Sequence, residues 1–137
     1  MEKEIMAVTH PVPTKFAERI YNNNKTVFVS KRHLGNVSSG DKFIIYESHG
    51  AKAYTGWADI KLITKMNPRT ILRKYKDSLM LTHEEFKEYS KDKKYMNLIE
   101  FKNFEMFKNK VVPDRFVSIS GKYIYEEEFN QIIRNKD

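Results

Sequence analysis

The segment VSSGDKFIIYESHGAKAYTGWADI, residues 37–60, constrains the fold more than any other part of the sequence. A polar turn with Gly40 and Asp41 leads into an apolar and aromatic run, and a second glycine-containing turn leads into another strand-like stretch. This pattern predicts an antiparallel hairpin with strands near 42–47 and 53–63, and Gly40 at positive φ in the first turn. Because the hairpin interrupts any regular alternation of strands and helices, it argues against a doubly wound parallel sheet.

The rest of the chain predicts short strands and four helices. Thr14 is expected to cap the first helix, and Asn67 followed by Pro68 indicates a second helix start. Thr82 with Glu85 three residues later forms a capping box. Short strands joined by tight turns favour antiparallel pairing. We therefore expect an α+β fold, a small, bent antiparallel β-barrel with flanking helices, in a single domain covering residues 1–137. The expected helices lie near 14–22, 68–76, 83–90 and 125–134, and further strands near 4–9, 26–30, 95–102 and 111–119.

Several classes of chemistry are excluded by what the sequence lacks. The chain has no cysteine, so disulfides, thiolate nucleophiles and cysteine-based zinc sites are impossible. The four histidines lack the spacing of a metal site, and no phosphate-binding or dinucleotide-binding glycine motif occurs. No apolar run approaches the ~20 residues that span a bilayer, and the first ten residues carry two glutamates, unlike a secretory signal. We expect a cytoplasmic protein with no metal, cofactor or membrane partner.

The net charge of +7 favours a polyanionic partner such as nucleic acid. On the predicted helix that follows Pro68, basic residues recur on the face opposite Ile71, Leu72 and Tyr75. Such spacing is typical of a phosphate-contacting helix and equally of a solvated basic face. A second basic group brackets the strand TVFVS. The candidate phosphate-binding residues are Lys25, Lys31 and Arg32 around that strand, and Arg69, Arg73 and Lys74 on the helix.

Aromatic residues on the hairpin are candidates for stacking on a base. Tyr46 and Trp57 lie on its two strands, and Gly56 beside Trp57 leaves room for a close backbone or ligand approach. The alternative is that both rings belong to the core. Glu47 and Asp59 lie beside these aromatics, where a solvated carboxylate is the plainer interpretation.

Read in order, the segments TKFAERIYNNNKT, SSGDKFIIYES and TGWADI resemble the PUA-like superfamily, and are most similar to its ASCH and EVE branches. The resemblance implies a small bent barrel with the Lys-Thr turn at the mouth of a cleft between barrel and helices. It also implies binding of nucleic acid or of a modified nucleotide in that basic cleft. We favour RNA over DNA as the partner, although the sequence does not distinguish the two. The positions that match the pattern are Lys25, Thr26, Ser30 and Tyr46.

The same resemblance raises the possibility of an enzyme. Some ASCH members resemble amidohydrolases of an acetylated cytidine that use a lysine, a threonine three residues later and a glutamate. Here Lys25 is matched, but Phe28 occupies the threonine position, and a phenyl ring cannot act as a nucleophile. We therefore expect a binding module with no catalytic residue. A hydrolase using Lys25 with Thr26 or Glu47 remains one alternative, and a protein-interaction module remains another.

Overall fold

Six strands form one mixed sheet in the computed structural model, which describes residues 4–32, 35, 37–114, 117 and 121–137. The strand order is β2-β5-β4-β3-β1-β6, and every neighbouring pair is antiparallel except β1 with β3. The α+β class is as predicted. Over the described residues, however, the sheet ends at β2 and β6 and does not close into the expected barrel. The strands are β1 (Ile5–Val12), β2 (Val27–Ser30), β3 (Lys42–Glu47), β4 (Ala53–Met66), β5 (Met96–Val111) and β6 (Lys122–Tyr125).

The predicted hairpin is the centre of the sheet. β3 and β4 pair antiparallel, with Phe43 opposite Ala58, and Gly40 has φ 96° in the turn before β3. Phe43 and Ile45 point into one hydrophobic cluster, whereas Ile44 and Tyr46 point into another. A strand covered on both faces reads as a continuous apolar run, which explains the sequence FIIY.

Four helices cover the two faces of this sheet. The first three contribute Ala17, Ile71 and Phe86 to the larger cluster, and the fourth contributes Ile132 to the smaller one. The sheet is therefore the middle layer of three. The helices are α1 (Thr14–Asn23), α2 (Pro68–Tyr75), α3 (His83–Tyr89) and α4 (Glu126–Asn135).

The predicted helix caps are partly confirmed. The Asn67 side chain accepts from the Arg69 amide at 2.8 Å, and Thr82 with Glu85 forms the capping box. Thr14, expected as a cap, is instead the first helical residue after Pro13. Its hydroxyl is turned toward the hairpin, where it takes part in the site described below.

Two predicted strands differ from the structure. β5 continues to Val111 because it pairs with β4 along almost its whole length, although its second half is rich in lysine and asparagine. Of the strand expected over 111–119, Val111 is the end of β5, and the described residues 112–114 and 117 are outside any strand. Residues 115, 116 and 118–120 lie outside the described residues.

Candidate functional site

A groove opens where α1 ends beside β2 and β5. Asn24 adopts the left-handed conformation at φ 54° and turns the chain out of α1. Thr26 is then held from both sides, because its amide donates to the Ser78 carbonyl and its carbonyl accepts from the Phe101 amide. Lys25 and Thr26 therefore lie beside this groove. This first compartment has a volume of about 420 Å³ and is lined by Ile20, Tyr21, Asn24, Lys25, Thr26, Phe104 and Met106.

A second compartment shares Tyr21 and Met106 with the first. It has a volume of about 320 Å³ and reaches the turn between β3 and β4. We call the two compartments together the Tyr21 groove. The further residues that line the second compartment are Glu47, Ala51, Thr55, Phe107, Lys108 and Lys110.

Tyr21, Phe104 and Met106 form an apolar floor in the groove. The rings of Tyr21 and Phe104 stack with centroids 5.1 Å apart, and Met106 is 61% exposed. Gly56 makes this arrangement possible, because a Cβ there would lie 2.7 Å from Phe104 Cζ and 2.9 Å from the Glu105 carbonyl oxygen. The space beside Gly56 that the sequence indicated is thus filled by a side chain of β5.

Two hydroxyl groups and one carboxylate, those of Tyr21, Thr55 and Glu47, line the second compartment. The hydroxyls of Tyr21 and Thr55 are hydrogen-bonded to each other. Burial, reinforced by the nearby Glu47 carboxylate and opposed by the Thr55 bond, raises the pKa of Tyr21 to about 12. The phenol therefore stays protonated at neutral pH, where it can donate and accept hydrogen bonds but carries no charge.

Three lysines line the groove, and we call Lys25, Lys108 and Lys110 the groove lysines. Lys25 Nζ donates to the Asp77 carbonyl at 2.7 Å, and the other two side chains are exposed on β5. Across the described residues, no groove lysine forms an ion pair with a carboxylate. Their charges are therefore available to an anionic ligand.

The other residues around β2 lie away from the groove. Ser30 is buried at the far end of β2, about 13 Å along the strand from Thr26 at ~3.3 Å per residue. Its hydroxyl accepts from the Arg32 amide at 3.0 Å, and Lys31 Nζ lies 4.8 Å from the Tyr89 ring centroid. The structure separates these three residues from Lys25 and Thr26.

Tyr46 and Trp57 are core residues rather than exposed stacking surfaces. They are 8% and 7% exposed in the cluster beneath α4. The Trp57 ring stacks on Phe129 with centroids 5.5 Å apart, and its Nε1 donates to Glu105 at 2.8 Å. A base could reach either ring only after this cluster had unpacked, so both fall outside the candidate site.

The basic face of α2 is exposed, as the spacing predicted. Arg69, Arg73 and Lys74 project to solvent while Ile71 is buried. The chain that leaves α2 supplies Asp77 and Ser78, whose carbonyls hold Lys25 and Thr26. The basic helix is thereby tied to the mouth of the groove.

Sequence reasoning missed most of the floor and two of the groove lysines. Four lining residues occupy alternate positions of β5, namely 104, 106, 108 and 110, a period-two pattern that places side chains on one face of a strand. The signal available in the sequence was this alternation, with Met106 as one of its members.

In the part of the chain that the structure describes, no three carboxylate or histidine side chains are grouped to hold a metal ion. No helix there is long and apolar enough to cross a membrane.

Sequence comparison identifies related chains. A family model described as "Domain of unknown function (DUF365)" matches residues 5–126. An "Uncharacterized protein MJECS03" of Methanocaldococcus jannaschii is 37% identical over 105 residues, 68% of this chain and 97% of that protein. A "Putative ATP-dependent RNA helicase R563" of Acanthamoeba polyphaga mimivirus is 32% identical over 133 residues, 88% of this chain but only 22% of the helicase.

Structural comparison confirms the ASCH resemblance. The crystal structure of ASCH from Zymomonas mobilis matches with a TM-score of 0.85 at 14% identity, covering 94% of each chain. A point mutant of the same Zymomonas protein matches with a TM-score of 0.85 at 15% identity, over 97% of this chain and 98% of the other. The N-terminal domain of Staphylothermus marinus McrB is more distant, with a TM-score of 0.51, 10% identity and coverage of 82% and 81%. The chain has the fold of the ASCH structures from Zymomonas mobilis. By its sequence, the chain belongs to the family described as "Domain of unknown function (DUF365)".

Proposed function

We propose that this protein is a nucleic-acid-binding module that holds single-stranded RNA in the Tyr21 groove. The observation that carries the proposal is the apolar floor lying in one groove with lysines that pair with no carboxylate of the described residues. Proteins that bind single strands combine these two features, because bases need an apolar or aromatic surface and phosphates need a positive groove. In this proposal, a base lies against the floor and the groove lysines hold the flanking phosphates.

Three further observations support an RNA ligand. The net charge of +7 raises the local concentration of any polyanion. The ASCH-like fold is compatible with nucleic-acid binding. The mimivirus relative is described as a putative RNA helicase, and this chain corresponds to about a fifth of its length. A module that binds single-stranded RNA is consistent with that description of the mimivirus protein.

The basic helix α2 extends the proposed interface. Arg69, Arg73 and Lys74 would contact phosphates beyond the groove, since the chain that follows α2 holds Lys25 at the groove mouth. Lys31 and Arg32 receive no role, because they lie at the other end of β2.

Hydrolysis of an acylated nucleoside is the second candidate. The Tyr21 groove is lined by both Lys25 and Glu47, which are the residues that such a reaction would use. However, Phe28 stands at the position of the required hydroxyl, and its ring is buried 5.2 Å from the Phe43 ring. Nucleic-acid binding is therefore the better-supported function. If the protein released acetate from an acetylated cytidine, and Lys25→Ala abolished that release, hydrolysis would become the better-supported function.

The proposal is tested by fluorescence anisotropy with a labelled single-stranded RNA over a series of salt concentrations. Lys108→Ala and Lys110→Ala should each weaken binding and lower the slope of log K against log salt by ~0.7, the value for one phosphate contact on a single strand. Lys93→Ala is the matched control, because Lys93 is exposed between α3 and β5 and does not line the groove. Equal effects of the groove and control variants would contradict the proposal.

A further inference from the structure

The second compartment of the groove contains one carboxylate, that of Glu47, which contacts helix α1. Glu47 lies at the end of β3, and its Oε1 lies 2.8 Å from the Thr14 hydroxyl, whose single proton is shared between Glu47 and the His49 carbonyl. Gly50 makes the contact possible, because at φ 90° a Cβ there would lie 2.7 Å from Thr14 Oγ1. A glutamate on a strand end thus contacts a helix residue 33 positions away in the sequence.

This carboxylate keeps most of its hydrogen-bonding capacity. An ionised carboxylate has about four acceptor sites and no donor, and Thr14 occupies one of them. Two lysines, Lys108 and Lys110, line the same compartment and can only donate. The compartment therefore presents strong acceptors beside strong donors within about 320 Å³, at the lower end of the roughly 300–1,000 Å³ typical of small-molecule sites.

Among the four RNA bases, guanine matches this arrangement best. Its Watson–Crick edge carries two neighbouring donors, N1–H and the N2 amino group, and one acceptor, O6. Two donors side by side satisfy both oxygens of a carboxylate, and an ammonium satisfies O6. Adenine and cytosine place a ring-nitrogen acceptor beside their amino group, and uracil places acceptors on both sides of its single donor. Each of those acceptors would face the Glu47 carboxylate and be repelled.

We propose that the second compartment reads an unpaired guanine, with N1–H and the amino group donating to Glu47. O6 accepts from Lys108 or Lys110, whose ammonium has three donors and still contacts a phosphate. This specificity rests on the proposed function, because the groove must first bind single-stranded RNA. The Tyr21 and Thr55 hydroxyls border the bound base, and the exposed Met106 contacts its face.

The test compares labelled octanucleotides that are uridine throughout except for one central base, which is guanine, adenine, cytosine, uracil or hypoxanthine. Guanine should bind roughly 5- to 150-fold more tightly than the other standard bases, the range for a bidentate side-chain contact to a base edge. Hypoxanthine, which lacks only the amino group, should fall between guanine and the rest. Equal binding of guanine and hypoxanthine would overturn the assigned contact to the amino group.

Glu47→Gln supplies the decisive variant, because it keeps the shape of the side chain but places an amide N–H₂ against the guanine donors. It should abolish the preference for guanine, and binding of the all-uridine strand should become tighter because a negative charge is removed from the groove. Glu88→Gln, the same change at an exposed site on α3, should keep the preference, and circular dichroism checks that both variants fold. A guanine preference that survives Glu47→Gln would overturn the inference.

The outcomes separate this inference from the proposed function. RNA binding that depends on salt and on the groove lysines, but shows no base preference, overturns the guanine assignment alone. No binding of any strand overturns both. Competition with free guanosine monophosphate distinguishes the source of the guanine, since tighter binding of the free nucleotide than of the guanine-containing strand would overturn the assignment to an RNA base.

Discussion

At the scale of single residues, the groove depends on two glycines, which leave room for neighbouring side chains, as well as on the residues that line it. Gly56 allows Phe104 and the backbone of β5 to approach β4, and Gly50 allows Thr14 to reach Glu47. The sequence indicated that something approaches Gly56, because a glycine inside a strand marks such a place. It could not identify Phe104, which is far away in the sequence and is placed only by the register of β4 against β5.

Gly56→Ala should destabilise the protein by about 1–3 kcal/mol, the usual cost of forcing an added methyl group into a packed site. The contacting Glu105 oxygen is backbone and cannot rotate away, although the Phe104 ring can. Urea denaturation followed by circular dichroism measures the effect. Adding Phe104→Ala should make the combined loss smaller than the sum of the two single losses, because the ring clash is gone. If the Gly56→Ala protein were as stable as the wild type, the close approach of Phe104 and of the Glu105 carbonyl to Gly56 would be contradicted.

At the scale of elements, local signals predicted local structure well. Asn67, Pro68, Thr82 and Glu85 mark helix starts because capping depends on residues within one turn. The same signals could not reveal that Glu85 also bonds Arg19 of α1, or that Lys15 lies 3.1 Å from the same carboxylate. Those contacts join two helices across a distance in sequence that no capping pattern covers.

The contact between α1 and α3 should make stability depend on pH in acid. The Arg19 guanidinium, more than any other partner, lowers the pKa of Glu85 from about 4.5 to about 2. A lowered folded-state pKa adds stability that is complete above the unfolded pKa and is lost as pH falls through the folded pKa. The wild type should therefore lose free energy of unfolding between about pH 5 and pH 2, with Glu85 contributing on the order of 1 kcal/mol because a quarter of its side chain is exposed.

Glu85→Gln is the variant that isolates this contribution. It should be less stable than the wild type at pH 7, and its stability should change less with pH below 5, as measured by urea denaturation at each pH. Glu84→Gln, one residue earlier and exposed, is the matched control. Parallel pH curves for the wild type and Glu85→Gln would contradict the assigned role.

The basic helix α2 gives a further prediction at this scale. Its packing comes from Ile71, so Arg73→Ala should change the free energy of unfolding by less than ~0.5 kcal/mol. If Arg73 contacts a phosphate, the variant should bind single-stranded RNA more weakly and show a salt slope lower by ~0.7. Unchanged affinity and slope would identify α2 as a solvated basic face without a part in binding.

At the scale of the whole molecule, the sequence predicted the hairpin, the helices and the ASCH resemblance, but not the assembly of the groove. The groove combines α1, β3, β4 and β5, and its lining residues run from Ile20 to Lys110. Its geometry depends on strand registers and on the parallel pairing of β1 with β3, which no local pattern specifies. For a related reason, the sequence could not decide whether Tyr46 and Trp57 stack on a base or belong to the core. Alternation showed that they lie on the sheet, but not that α4 covers that face.

The central claim is that RNA enters the Tyr21 groove and contacts its apolar floor, and Met106 reports on this directly. The chain has six methionines, of which Met106 is 61% exposed in the groove whereas Met80 and Met96 are 5% and 0% exposed in the core. Methyl NMR of protein labelled with ¹³C at the methionine methyl groups should show the Met106 signal moving as single-stranded RNA is added. The Met80 and Met96 signals should stay in place. A Met106 signal that does not move while the RNA is bound would contradict the account.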